Sequence, residues 1–327
     1  MKHRALFALG MHRSGTSAMT GVLSCLGVVL GKRLYEAQTG VNERGFWEHA
    51  DIADTHDSIL RVIGSCWDDI LPLRDDWFCD PKLARFKIKL ASYVARDLSG
   101  SGLWGLKDPR VCRLLPLWLE ILETQDTEPA FVFIVRPPIQ VSRSLQKRDG
   151  MSHRKAILLW LRHNLEAELW SRHHARVFIT FDDLISKTEI TLRTIEQFLD
   201  LRFPRSIEDA LPDIRSFLSA DLRHHDDKEP LEHETLDSLA HDTYALLSGG
   251  EMDAPAFRAH AARLRDRLGE YTERFDPMLV EQLTYLGRER GRFEQMFYEI
   301  YHATSWKITW PIRVLERALK NGVPGSY

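Results

Sequence analysis

The stretch F-A-L-G-M-H-R-S-G-T-S-A-M-T-G-V-L, residues 7–23, decides how the rest of the chain is read. Gly10 and Gly15 stand where a triphosphate-binding loop of the form G-x-x-x-x-G-K-[ST] places its glycines, and Ser17 takes the final hydroxyl position. Thr16 occupies the lysine position. The apolar run R-A-L-F-A-L ahead of Gly10 reads as a buried strand, and the segment from Gly15 to about Gly27 reads as a helix. A strand, a tight loop and a helix in that order present backbone N–H groups and the positive end of a helix dipole, which together hold a phosphate whatever the side chains. Arg13, Ser14, Gly15, Thr16 and Ser17 form the predicted cradle. Gly15 lets the backbone approach closely, Thr16 and Ser17 add hydroxyl donors, and the cation is Arg13 in place of a lysine. Taken alone, the same residues also describe a tight turn with incidental Ser and Gly.

Apolar runs at 102–107, 130–135 and 175–181 read as further buried strands, with helical segments at 49–64, 81–98 and 153–174. Strands alternating with helices predict an α/β chain: a three-layer, P-loop-like fold with a mostly parallel central sheet. In the segment 153–174, Ile157, Leu161, Leu165 and Leu169 recur at helical spacing and are expected to face the sheet, with Trp160 and Trp170 as packing residues. After residue 205 the strand signal ends and polar, then charged helical, sequence follows. A boundary is predicted there, between a domain at 1–205 and a helical extension at 206–327 with an amphipathic C-terminal tail.

With 44 Lys and Arg against 47 Asp and Glu, the formal net charge is −3, which argues against a non-specific nucleic-acid binder. Anion recognition must therefore be local. Cys25, Cys66, Cys79 and Cys112 form no C-x-x-C pair and no zinc-ligand spacing, so reduced thiols and no metal site are expected. The N-terminal residues lack a signal-peptide core and no apolar run reaches ~18 residues, which predicts a cytoplasmic, non-spanning protein.

The second informative stretch is F-I-V-R-P-P-I-Q-V-S-R-S, residues 133–144. It places Arg136 at the end of a buried strand and Ser144 eight residues on, in the helix that the Pro pair opens. In a parallel sheet both groups lie at the carboxyl edge, the same edge as the first loop. Two anion sites on one edge point to a ligand with two separated phosphates.

On these two motifs, H-R-S-G-T-S and R-P-P-I-Q-V-S-R-S, the chain resembles the sulfotransferases that use 3′-phosphoadenosine 5′-phosphosulfate. The resemblance covers roughly residues 3 to 205. With N-E-R-G-F-W-E-H and W-G-L-K-D-P-R it is strongest to bacterial members of cell-surface or glycolipid metabolism. It implies 5′-phosphosulfate contacts for Arg13, Ser14, Gly15, Thr16 and Ser17, and 3′-phosphate contacts for Arg136 and Ser144. It also accounts for the missing lysine, since that donor has no γ-phosphate to reach. The implied co-substrate is 3′-phosphoadenosine 5′-phosphosulfate, the implied acceptor a hydroxyl on a sugar or glycolipid, and no metal is called for.

Sulfuryl transfer needs an in-line acceptor oxygen and a cation on the leaving group. Arg13 is suited to the leaving 5′-phosphate, where one preorganised donor supplies roughly 3–4 kcal/mol. For the base, the resemblance points to a carboxylate: Glu48 first, then Glu43 and Asp108, since the His that small-molecule members carry on the second strand is absent from L-K-D-P-R. Burial among Phe46 and Trp47 is expected to raise the Glu48 pKa, while the competing reading makes Glu48 a helix cap. Lys107 is expected to hold the sulfate or acceptor, or else to pair with a carboxylate such as Asp108. Arg110 and Arg143 are weaker candidates and Arg148 is expected at the surface. Arg223, His224 and His225 stand where related enzymes close a loop over the nucleotide. In the tail, Trp306, Ile308, Trp310, Ile312, Leu315 and Leu319 alternate with basic residues, so 304–320 suits either contact with the inner membrane surface or packing on the body. A homodimer is compatible with the charged helical segments. The competing functions are a small-molecule kinase of the P-loop class and a non-catalytic nucleotide-binding or assembly module.

Overall fold

The computed structural model describes residues 3–36, 45–100, 102–218, 235–249 and 255–275, with single positions between 278 and 296. Its strands are β1 (His3–Leu9), β2 (Leu103–Lys107), β3 (Thr127–Val135) and β4 (Ala175–Thr180). They form one sheet in the order β2-β1-β3-β4, every pair parallel. Phe7 sits at its centre, level with Leu106 on one side and Phe131 on the other. Its ring meets Trp118 at 5.6 Å, Phe131 at 5.6 Å and Trp104 at 6.0 Å. Ala5–Leu9 and Ala130–Val135 are buried throughout, the continuous apolar run of strands covered on both faces.

The helices are α1 (Thr16–Cys25), α2 (Ala50–Val62), α3 (Ala84–Asp97), α4 (Val111–Thr124), α5 (Pro138–Asp149), α6 (His153–Ser171), α7 (Phe181–Ser186), α8 (Thr188–Leu199), α9 (Ile207–Phe217), α10 (Thr235–Ser248) and α11 (Pro255–Glu273). Helices α1, α8 and α9 pack together and against the sheet as one layer. Helices α4, α5, α6, α10 and α11 form the other, while α2 and α3 pack beside α4. The three-layer α/β architecture is that expected. Two local readings are corrected. The fourth strand ends at Thr180, whose hydroxyl caps α7, so Phe181 opens a helix instead of closing a strand. Helix α6 shows no sheet-facing stripe: it packs against α4, α5, α10 and α11 and is buried nearly all round, Trp160 included. Enclosure by helices removes the polar face on which a stripe depends.

Beyond residue 205 the described segments are helices joined to the same core through Ile207, Ile214, Leu239, Phe257 and Leu264. Two polar links reinforce them. His153 donates from Nε2 to Asp237 (3.0 Å) and accepts at Nδ1 from the Ser142 hydroxyl (2.8 Å), tying α5, α6 and α10 together. Glu168, 1% exposed, receives Arg176 of β4 at 3.2 Å and Arg265 of α11 on its other oxygen.

Removing one partner of a buried ion pair strands the other charge, at about 3–5 kcal/mol. Glu168→Ala should therefore lower the unfolding free energy by that amount, read as a lower urea midpoint at unchanged m-value, with α11 losing amide protection first.

Candidate active site

Strand β1 lies between β2 and β3, and the chain leaves β1 for one helical layer and β3 for the other. A parallel sheet opens a crevice at the carboxyl ends of two such strands, so the order of the sheet alone places the site between the loop at 10–15 and the segment after Val135. The loop leaves β1 through Gly10, where a Cβ would meet the Ile134 carbonyl at 2.8 Å. The Gly10 N–H donates to the buried Cys112 Sγ at 3.2 Å, fixing the loop to the start of α4. Burial pushes the Cys112 thiol up to about 12, so the sulfur stays protonated and unreactive.

Gly15, at φ 98°, caps α1. A Cβ there would enter the Phe181 ring at 2.2 Å, and on the same ring the Arg136 guanidinium rests 4.8 Å from the centroid. Arg13 takes φ 70°, a left-handed conformation that costs a side-chain-bearing residue about 1 kcal/mol or more. That turn sends its guanidinium to Ser144, with Nε donating to Oγ at 2.8 Å. Arg136 Nη1 donates to the Arg13 carbonyl at 3.2 Å and its Nε to Gln140 at 2.9 Å. The two motifs predicted to hold separate anions thus meet directly.

Arg136 is 8% exposed, and no described carboxylate lies within ion-pair distance of it. Burial and then the charge of Arg13 lower its pKa, with Asp182 offsetting part of the effect. Arg13 is lowered likewise, by burial first and Arg148 second. The Ser14 hydroxyl is fully buried without a partner among the described residues. Thr16 is buried too, while Ser17 is half-buried and accepts from Lys107 Nζ at 3.2 Å.

Lys107, 4% exposed at the end of β2, also donates to the Phe46 carbonyl at 3.0 Å and to Glu48 Oε1 at 2.6 Å. Glu48 Oε2 faces Arg110 Nη1 at 3.6 Å. The apolar surround expected for Glu48 is therefore not what it has: both oxygens face cations. His49, not Glu48, holds the N-cap position of α2. Lys107 pairs with Glu48 and not Asp108. Asp108 accepts from His56 Nδ1 at 2.8 Å and from Arg110 at 2.9 Å. Burial works to raise its pKa, but Arg110 and His56 overcome this and hold it well below the usual carboxylate range. A carboxylate so fixed is a structural anion. Trp118 Nε1 donates to His56 Nε2 at 2.9 Å, which leaves the imidazole proton on Nδ1. Arg110 also grips Asp57, at 2.6 Å.

Sequence reasoning missed three residues around the loop and misplaced a fourth. Phe181 floors the loop and carries Arg136. Trp67 packs edge-on against His12 at 4.7 Å and lies 5.6 Å below the Arg148 guanidinium. Arg148 is thus drawn in from the surface expected for it, where it also pairs with Asp149. His12 is half-buried beside Arg13, its Nε2 buried and unpartnered. The only signal in the sequence is that His12 interrupts a phosphate loop. Arg143 is half-buried on α5. Glu43, Arg223, His224, His225 and the tail at 304–320 lie outside the described residues. Among the described residues no helix is long and apolar enough to cross a membrane.

No protein-family model matches the chain, and no curated protein matches it. Among solved structures the chain is similar to the sulfotransferase domain from the Synechococcus PCC 7002 olefin synthase, at 16% identity and a TM-score of 0.39, over 82% of this chain and 96% of that one. It is similar also to the sulfotransferase domain from the curacin biosynthetic pathway, at 15% identity and a TM-score of 0.37, over 80% of this chain and 98% of that one.

Gly15→Ala should lower stability by about 1–3 kcal/mol, through strain at positive φ and the collision with Phe181. In the double variant Gly15→Ala/Phe181→Ala the collision part is absent, so denaturant titrations of the four proteins should give non-additive losses.

Proposed function

We propose that this chain is a sulfotransferase that binds 3′-phosphoadenosine 5′-phosphosulfate in the crevice between β1 and β3 and moves its sulfuryl group to a hydroxyl acceptor. A sugar or glycolipid acceptor, of the bacterial cell-surface type, follows from the sequence resemblance alone. The observation that carries the reading is the Arg136 guanidinium, buried without a carboxylate partner and set beside Arg13. Two like charges in one partly desolvated pocket raise each other's energy, and an anion carrying more than one charge relieves both. The orphaned Ser14 hydroxyl and the close-approach glycines fit the same ligand.

The donor, when bound, supplies an activated sulfuryl group on a phosphate leaving group. Arg13, Ser14, Gly15, Thr16 and Ser17 would hold its 5′ end, and Arg136 and Ser144 its 3′-phosphate. Since Arg13 Nε reaches Ser144, the same guanidinium spans both ends. Arg13 then has two tasks, orienting the donor and neutralising charge as the bond to the leaving oxygen breaks. Lys107, held by Glu48 and touching Ser17, supplies the second cation, and Glu48 keeps that ammonium in register. The magnesium-nucleotide kinase alternative wants a lysine where Thr16 stands and an acidic strand end where Arg136 stands.

Calorimetric titration should show binding of adenosine 3′,5′-bisphosphate in preference to ADP and to magnesium-ATP. Arg136→Ala should weaken it by about 10-fold to 100-fold, the worth of a charge-assisted contact. Preference for magnesium-ATP, or full bisphosphate affinity in Arg136→Ala, overturns the assignment.

A further inference from the structure

The proton of an attacking hydroxyl must go somewhere, and the described carboxylates around Lys107 are all committed. Glu48 faces Lys107 and Arg110, Asp108 faces His56 and Arg110, and Asp57 faces Arg110. His12 is the uncommitted proton acceptor of the loop. Its backbone neighbour is Arg13, and its ring packs against Trp67 at 4.7 Å and against His163 at 6.5 Å, with the two imidazoles at 73°.

The two histidines have complementary needs. His163, on α6, donates from Nδ1 to the Leu159 carbonyl at 2.8 Å, so its Nε2 bears a lone pair. That Nε2 is buried and unpartnered, and so is Nε2 of His12. A proton on His12 Nε2, directed to the His163 lone pair through one bridging water, would satisfy both atoms. The lone pair of His12 then lies on Nδ1. His12 as a residue is only part-buried while its Nε2 is buried without a partner among the described residues, so whatever surface the residue exposes lies away from Nε2.

We propose that His12, oriented by His163, accepts the proton of the attacking hydroxyl at Nδ1. This rests on the sulfuryl-transfer reading above. In the step, the acceptor O–H bond breaks and its proton passes to Nδ1. The oxygen bonds to sulfur as the bond from sulfur to the 5′-phosphate oxygen breaks, and that electron pair leaves on adenosine 3′,5′-bisphosphate. The surroundings keep the ring neutral before the step, at a cost in basicity. Burial first, then Arg110 ahead of α4, Arg148 on α5, His163 on α6 and Lys107 at the end of β2, all lower the His12 pKa well below its usual value. Asp149, paired with Arg148, and Asp108, Glu48 and Asp57, paired with Lys107 or Arg110, are the nearby anions, and each is engaged. His163 itself is held neutral, lowered to about 3 by burial and then by Arg113. A base with a lowered pKa is unprotonated at and above its ordinary titration range, so turnover should be level from about pH 6 upward and fall only in acid. Histidine at this position thus serves as a neutral acceptor placed among cations that a carboxylate would bind instead.

The test is nitrogen-15 NMR of histidine-labelled full-length protein, with the His12 signals identified by their loss in His12→Gln. The expected spectrum shows a neutral ring with its proton on Nε2, still neutral below the ordinary histidine titration range, and a mixed tautomer in His163→Phe. A ring protonated on Nδ1, or one titrating near 6.5, overturns the assignment. Alongside it, His12→Gln should bind adenosine 3′,5′-bisphosphate within about twofold of the parent protein. Sulfate release from radiolabelled donor, with water as the probe acceptor, should drop by about 10²-fold. A bisphosphate affinity loss above tenfold makes His12 a donor ligand, and an undiminished rate leaves it no proton to carry; either result overturns the proposal. Failure of the parent protein to bind the bisphosphate at all defeats the sulfuryl-transfer reading instead, and is read from a different experiment.

Discussion

The structure turns on two guanidinium groups held side by side, Arg13 and Arg136, with a shared hydrogen bond through the Arg13 carbonyl and no described carboxylate against the more deeply buried of the two. Such an arrangement is unfavourable by itself, since each charge is partly desolvated and repels the other. Everything around the pair serves to impose it. The sheet order brings the two strand ends together, Gly10 allows the loop to leave against the β3 backbone, and the Phe181 ring supports Arg136 while filling the space that Gly15 leaves. The result is a pocket in which the buried Arg136 charge faces no described carboxylate.

Beside the pair lies a compensated network. Lys107, Glu48, Arg110, Asp108, Asp57 and His56 alternate in sign, and Trp118 closes the chain of hydrogen bonds in the core. Because each cation is matched by at least one carboxylate, this network is stiff, and it holds Lys107 beside Ser17. The contrast is with Arg136, whose buried charge has no described carboxylate against it.

The strands and the two segments that meet at their carboxyl ends are legible because their signals are local: an apolar run, a pair of glycines, an arginine eight residues ahead of a serine. The layer order was legible for the same reason. What the sequence left closed depends on partners far along the chain. Glu48 meets Lys107 across 59 positions and His56 meets Asp108 across 52, so neither environment could be read from neighbours such as Phe46 and Trp47. Arg148 looked like a surface residue at a helix end until Trp67 was found beneath it. Helix α6 hid its packing because a helix enclosed by other helices carries no amphipathic pattern to read.

The left-handed backbone at Arg13 carries an evolutionary implication. Glycine would take that conformation without strain, so the backbone at this position carries a cost that only the arginine side chain's own interactions can offset. A lineage released from its ligand would be expected to lose this residue early, gaining thermal robustness as it did so. Arginine at position 13 is thus held at a conformational cost that its hydrogen bond to Ser144 offsets in part.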